Sequence, residues 1–322
     1  MSFPLAEWID SHETCPHNLA LSGMRGTIRH PIPTRSDLRT ADAGSLRQLL
    51  ADDLDVDARR LFLTAGATDA NGRVISYLAR RPERRSLAAR VHFPEYPPLF
   101  DTARWAGFRL DPTGPPGSVA LAVLSNPQNP EGRLWSRSEI LDWSAGAEAL
   151  LVDETFREFA PAVSVHDLER KGVWTTGSFT KFFAGDDLRV GFVVAPEEER
   201  ESFAEYHGLV VDPLASFSVA GALATFRARD RVRGDVRRVF ERNLAAFRRE
   251  FPGTTPPSAP VWFDRTPADG ERCATRALSA GVLVCPGGYF GDPNGVRLCL
   301  TRRSFPADVA AYRAVRDRSG SI

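Results

Sequence analysis

Lysine is scarce in this chain: of 41 basic residues in a 322-residue sequence, only Lys171 and Lys181 are not arginine. Arginine replaces lysine as a surface charge, but not as a primary amine that must lose its proton and attack a carbonyl. Lys171 stands in the polar turn Glu169-Arg170-Lys171-Gly172 and reads as a solvated charge. Lys181 lies in Ser178-Phe179-Thr180-Lys181-Phe182-Phe183-Ala184-Gly185-Asp186-Asp187-Leu188-Arg189, an apolar stretch with a hydroxyl three residues before the amine and a guanidinium eight after it. Lys181 therefore reads as a chemical group, with a polar turn between two buried strands as the competing reading.

Other segments bear on the same chemistry. Leu61-Phe62-Leu63-Thr64-Ala65-Gly66-Ala67-Thr68 reads as a strand, a glycine turn and a helix start, which presents free backbone N–H groups to an anion. The apolar run Val119 to Leu124 has the composition of a strand buried on both faces, and it enters Asn126-Pro127-Gln128-Asn129-Pro130-Glu131-Gly132, a rigid turn. Ala149-Leu150-Leu151-Val152-Asp153 is a second buried strand, ending in an acid. A magnesium-binding strand of a nucleotide hydrolase would end the same way, but it requires an upstream G-x-x-x-x-G-K-[ST], and no lysine precedes Lys171.

Together these segments, with Gly281 to Gly291 (G-V-L-V-C-P-G-G-Y-F-G), resemble the fold-type I aminotransferases of class I/II, histidinol-phosphate aminotransferases among them, over roughly residues 45 to 305. The resemblance implies pyridoxal 5′-phosphate (PLP) as cofactor, held covalently on Lys181. By the same likeness Asp153 keeps the pyridine nitrogen protonated so that the ring accepts electrons, and Lys181 and Asp153 are the catalytic pair. Gly66, Ala67, Thr68, Ser178 and Arg189 match the phosphate-binding positions. Tyr96 stands where the family stacks an aromatic on the ring, and Asn129 where it donates to the ring's 3′-oxygen. Arg297 falls at the position that holds the substrate α-carboxylate through a bidentate pair; an internal salt bridge is the competing reading. Gly23 matches a glycine near that carboxylate, or is a plain turn. Two departures stand beside the cofactor: Phe156 replaces the usual tyrosine, and no tyrosine precedes Tyr77 to contact a partner subunit's phosphate.

The implied fold is α/β: a mostly parallel sheet with helices on both faces and a smaller α/β C-terminal domain. Residues 1–35 form an N-terminal segment packing with the small domain, 36–205 the large cofactor domain and 206–322 the small one. Helical spacing is read near Leu5–Ile9, from Gly44 to Leu54 with Ser45 as cap, across Val219–Arg227 and Val239–Phe247, and from Pro306. Arg90 to Pro97 reads as a strand ending in an aromatic, with His92 packed inside it.

The implied activity is amino transfer between an amino acid and a 2-oxo acid, in a homodimer. PLP-dependent decarboxylation or β-elimination, and a catalytically idle binding module, are the rivals. Zero net charge and the lack of a basic run interleaved with aromatics do not suggest a nucleic-acid footprint, and the densest basic run, Arg80–Arg85, is interrupted by Pro82 and Glu83. No run of 18 apolar residues spans a membrane. Acids at the amino terminus argue against a signal peptide and for a cytoplasmic protein. Cys15, Cys273, Cys285 and Cys299 lack C-x-x-C pairing and are expected as free buried thiols, with no metal site.

Overall fold

The computed structural model describes residues 3–81, 87–111, 119–160, 163–210, 213–266 and 268–317. Pro82 and Glu83 of the basic run and most of the loop after Asp111 lie outside the described residues. Seven strands form the main sheet in the spatial order Leu61–Thr64, Gly191–Val194, Val173–Ser178, Ala147–Asp153, Val119–Ser125, Ala88–Val91, Arg109–Leu110. Only Gly191–Val194 runs against its neighbours; the others are parallel.

Every residue of Val119–Ser125 is buried, as its unbroken apolar run requires of a strand covered on both faces. Alternate side chains go to opposite layers. Leu121, Val123 and Leu151 join Ala70, Val74, Ile75 and Leu78 of the helix Ala67–Ala79 on one face. Ala122, Leu124, Leu150 and Val152 join Ile140 of the helix Arg137–Trp143 on the other.

A three-stranded antiparallel sheet follows, with Val296–Cys299 between Cys285–Pro286 and Val261–Asp264. The helices Arg229–Glu250, Gly270–Ser279 and Phe305–Asp317 bury Phe240, Phe247, Ala277, Phe305, Val309 and Tyr312 with Val296 and Leu298. The amino terminus is tied to this layer. His17–Asn18 pairs parallel with Val282–Leu283, and Leu5 and Ala20 pack with Leu283 and Phe290.

Several boundaries differ from the sequence expectation. The first helix spans Pro4–Ser11. The helix Ala43–Leu54 is capped by Asp42, whose carboxylate accepts the Ser45 N–H at 2.6 Å and leaves Ser45 inside the first turn. The strand expected over Arg90–Pro97 is Ala88–Val91, because the prolines at 94 and 97 have no N–H for the ladder. Tyr96 therefore caps the helix Pro97–Trp105. His92 stands just past the strand, half-buried, its ring edge-on to Trp135 at 4.8 Å. Cys15 is half-buried, whereas Cys273, Cys285 and Cys299 are buried.

Candidate active site

Strand register decides what meets at the carboxyl ends of the sheet. Ser125 is level with Asp153, and Asp153 with Thr176, so the Asn-Pro turn, the acid and the segment leading to Lys181 emerge side by side. The crevice beyond such strand ends is where open α/β sheets bind ligands. Here it is a cavity of about 260 Å³ lined by Ala67, Thr68, Tyr96, Asn129, Asp153, Phe156, Lys181, Arg189 and Arg297, with Ser125, Thr155, Thr180 and residues of the first helix.

Lys181 is half-buried. Desolvation holds the pKa of its amine below the ordinary lysine value, opposed mainly by the carboxylate of Asp186. One oxygen of Asp186 is buried without a hydrogen-bond partner. The Lys181 carbonyl accepts the Met24 N–H at 2.9 Å, which brings Gly23 against the lysine stem. A Cβ on Gly23 would meet Lys181 Cδ and the Asp186 carboxylate at 3.5 Å, ordinary contact, so nothing there demands glycine.

Asp153 is 3% exposed. Burial raises its pKa, while the Thr155 N–H at 2.8 Å, the Asn71 amide at 2.7 Å and the charge of Lys181 pull it down. Asn71 is itself oriented by Thr176, whose hydroxyl donates to its oxygen at 2.6 Å. A cation against the free face of this carboxylate would balance its desolvation.

At the other end, Gly66 takes φ +91° and turns the chain into the helix Ala67–Ala79, whose first N–H groups have no intrahelical acceptors. Arg189, itself at φ +50°, packs its Nη2 3.0 Å from where a Gly66 Cβ would sit and donates to the Ala65 carbonyl at 3.3 Å. Helix N–H groups, Thr68 and this guanidinium make an anion cradle. Ser178 stands apart from the cavity lining. Its hydroxyl is 2.8 Å from that of Thr180, whose N–H donates back to it at 3.0 Å, and Thr180 lines the cavity instead.

Arg297 is 2% exposed and faces no carboxylate among the described residues. Its Nη2 donates to the Ala20 carbonyl at 2.9 Å, its Nη1 to Asn129 Oδ1 at 3.3 Å, and its guanidinium lies 4.8 Å over the Phe290 ring. Nε has no partner. The internal salt bridge allowed by the sequence is thus absent among the described residues, and a buried charge is left facing a cavity. Asn129 donates its N–H to Ser125 Oγ at 2.8 Å. Tyr96 lines the cavity near Thr68, with Phe3 edge-on at 6.3 Å, and Phe156 is buried with Ala259, Val261 and Cys299.

Sequence reasoning missed Asn71, Asp186 and Glu95. Glu95 is fully buried; its carboxylate accepts the Tyr96 N–H at 2.7 Å and the Ser125 hydroxyl and N–H at 2.6 and 2.8 Å. Burial pushes its pKa up to about 8. The one signal for Asn71 is an amide in the apolar stripe of its helix, one turn past Ala67.

An amine whose pKa is lowered by burial, a buried acid and an arginine that faces no described carboxylate are grouped around one cavity. The family described as aminotransferase class I and II matches residues 32–304, and the chain belongs to it. It is 27% identical to the aspartate aminotransferase of Thermococcus kodakarensis over 295 residues, 85% of this chain and 79% of that protein. It is 35% identical to a threonine-phosphate decarboxylase of Sinorhizobium sp over 146 residues, 42% and 43% of the two chains. The crystal structure of a PLP-dependent aminotransferase from Streptococcus suis shares the fold at TM-score 0.79 and 17% identity, covering 99% and 98% of the chains. That of Thermus thermophilus aspartate aminotransferase with maleate does so at 0.77 and 18%, covering 96% and 94%.

The protein is a PLP-dependent transferase of this family, and the residues present fit the cofactor. The anion cradle, the buried Asp153 carboxylate and the Lys181 amine are arranged around one cavity large enough to admit a small ring.

Proposed function

We propose that the chain moves an amino group from an amino acid to a 2-oxo acid with the residue roles that follow. The observation that carries this is the buried Arg297, unpaired with any described acid, in the same cavity as Lys181 and Asp153. Bound there, PLP supplies an aldehyde carbon that takes up the amino group and a ring that accepts the electron pair left when the α-proton departs. Lys181 would hold the cofactor and, with its amine freed, would carry the proton from the substrate Cα to the cofactor carbon on the other side of the amino nitrogen. Its lowered pKa leaves more of the amine neutral for that task.

Asp153 holds the ring-nitrogen proton, and Asn71 and Thr155 keep both its oxygens oriented. Asn129 uses its oxygen on Arg297, which leaves its NH2 for the ring's 3′-oxygen. Tyr96 and Phe156, which line the same cavity, would give the ring its aromatic walls. Gly66, Ala67, Thr68 and Arg189 hold the phosphate, with Ser178 acting through Thr180. Arg297 takes the α-carboxylate, and Gly23 lies beside it with the Met24 N–H on the Lys181 carbonyl.

The division into residues 1–35, 36–205 and 206–322 belongs to this reading, as does a homodimer. Exposed Leu209 adjoins Val210, which borders an open cleft with Thr68 and Arg189. Four free cysteines fit a reducing cytoplasm, and no helix among the described residues is long and apolar enough to cross a membrane.

Borohydride reduction followed by peptide mapping tests the assignment. A pyridoxyl adduct on Lys181 is expected. One on Lys171, or none, overturns it.

A further inference from the structure

We propose that the amino donor is a monocarboxylic amino acid with an apolar side chain. The inference rests on the roles above and deepens them. Once the cofactor and the α-carboxylate are assigned, the wall left for the side chain comes from the amino terminus. Phe3, Ala6 and Ile9 line the cavity from the N-cap and one face of the helix Pro4–Ser11, and Leu21 lines it from the irregular segment after His17–Asn18. Leu5 also turns inward, with its side chain packed in the core beneath. Leu21 is 39% exposed, an apolar surface that a substrate side chain would cover.

Charge supports the same conclusion. Among the described lining residues the cations are Lys181, Arg189 and Arg297, and each already has a role. A distal carboxylate or phosphate on the substrate would be desolvated against this apolar wall without a counter-charge. The remaining charged group at the wall is Asp10, exposed and without an ion pair among the described residues, and it repels such an anion. The helix is fixed in place by His17–Asn18 pairing with Val282–Leu283 and by Leu5 in the core, so the wall is built into the fold.

The test uses the holoenzyme and a panel of phenylalanine, leucine, methionine, aspartate, glutamate, O-phosphoserine and arginine. Two signals are read: the spectral shift on binding, and conversion of the bound cofactor to its amine form. Apolar members should bind and react about 10- to 100-fold better than the charged ones, the discrimination available to a hydrophobic pocket. Ile9→Arg should narrow or reverse the ratio of phenylalanine to aspartate while mass spectrometry still finds the cofactor on Lys181. Preference for aspartate, O-phosphoserine or arginine overturns the proposal and leaves amino transfer standing. Apolar members that bind best but release CO2 without forming the amine cofactor uphold the proposal and overturn the transaminase reading. A selectivity unmoved by Ile9→Arg also overturns it.

Discussion

Arg297→Lys separates a substrate-binding arginine from a structural one. In the free protein every acceptor of Arg297 is neutral: the Ala20 carbonyl, Asn129 Oδ1 and Cys285 Sγ at 2.9, 3.3 and 3.4 Å. Losing such bonds costs the fold about 0.5–1.5 kcal/mol each, so the variant should fold and keep its cofactor. A lysine retains the charge but not the planar fork. The substrate then loses one charge-assisted hydrogen bond, about 1.5–3 kcal/mol, which is roughly a 10- to 150-fold weaker dissociation constant. The assay is a spectral titration of the holoenzyme with an amino acid and, in parallel, with the corresponding amine that lacks the carboxylate. The native protein should favour the amino acid strongly, the variant much less, and the amine should bind both alike. An unchanged ratio of the two affinities would refute the assignment. So would loss of cofactor or unfolding in the variant, since either would make Arg297 a structural group.

Other expectations follow from single contacts. Asn71→Leu strands Asp153 Oδ2 and the Thr176 hydroxyl, each at about 1–3 kcal/mol, and should speed cofactor loss on dialysis; native retention would show that Asn71 does not support the acid. Glu95 has its pKa pushed up to about 8, so between its ordinary value and 8 the folded chain holds a proton that the unfolded chain has released. Its contribution is therefore destabilising, growing as pH rises through that window and constant above it. The thermal midpoint should fall from pH 5 to 8 less steeply in Glu95→Gln than in the native protein, and equal slopes would remove Glu95 from the account. Gly191→Ala would put a Cβ 2.4 Å from the Gly66 carbonyl carbon and 2.8 Å from the Ala67 nitrogen, backbone that cannot move aside. A loss of about 1–3 kcal/mol and weaker PLP binding are expected by thermal unfolding with and without added cofactor.

The amino-acid sequence alone singled out Lys181 as the candidate amine, because amine chemistry depends on residue type and only two lysines exist. It identified the buried strands, since an unbroken apolar run is a property of consecutive residues, and the turn at Asn126–Gly132 for the same reason. It placed Asp153 at a strand end, because chain order carries that information. What it left open depended on groups far apart in the chain. Asn71 and Asp153 are 82 residues apart, and only the sheet order brings the helix after one strand over the end of another. The position of Phe3 against Tyr96 follows from the pairing of His17–Asn18 with Val282–Leu283, which no local pattern announces. Tyr96 itself moved from strand end to helix cap because proline removes ladder donors on either side. The choice at Arg297 between an internal salt bridge and an open carboxylate site was undecidable from spacing. The tertiary structure supplies no salt bridge there among the described residues: the guanidinium meets a backbone carbonyl, an amide, a thiol and a phenyl ring.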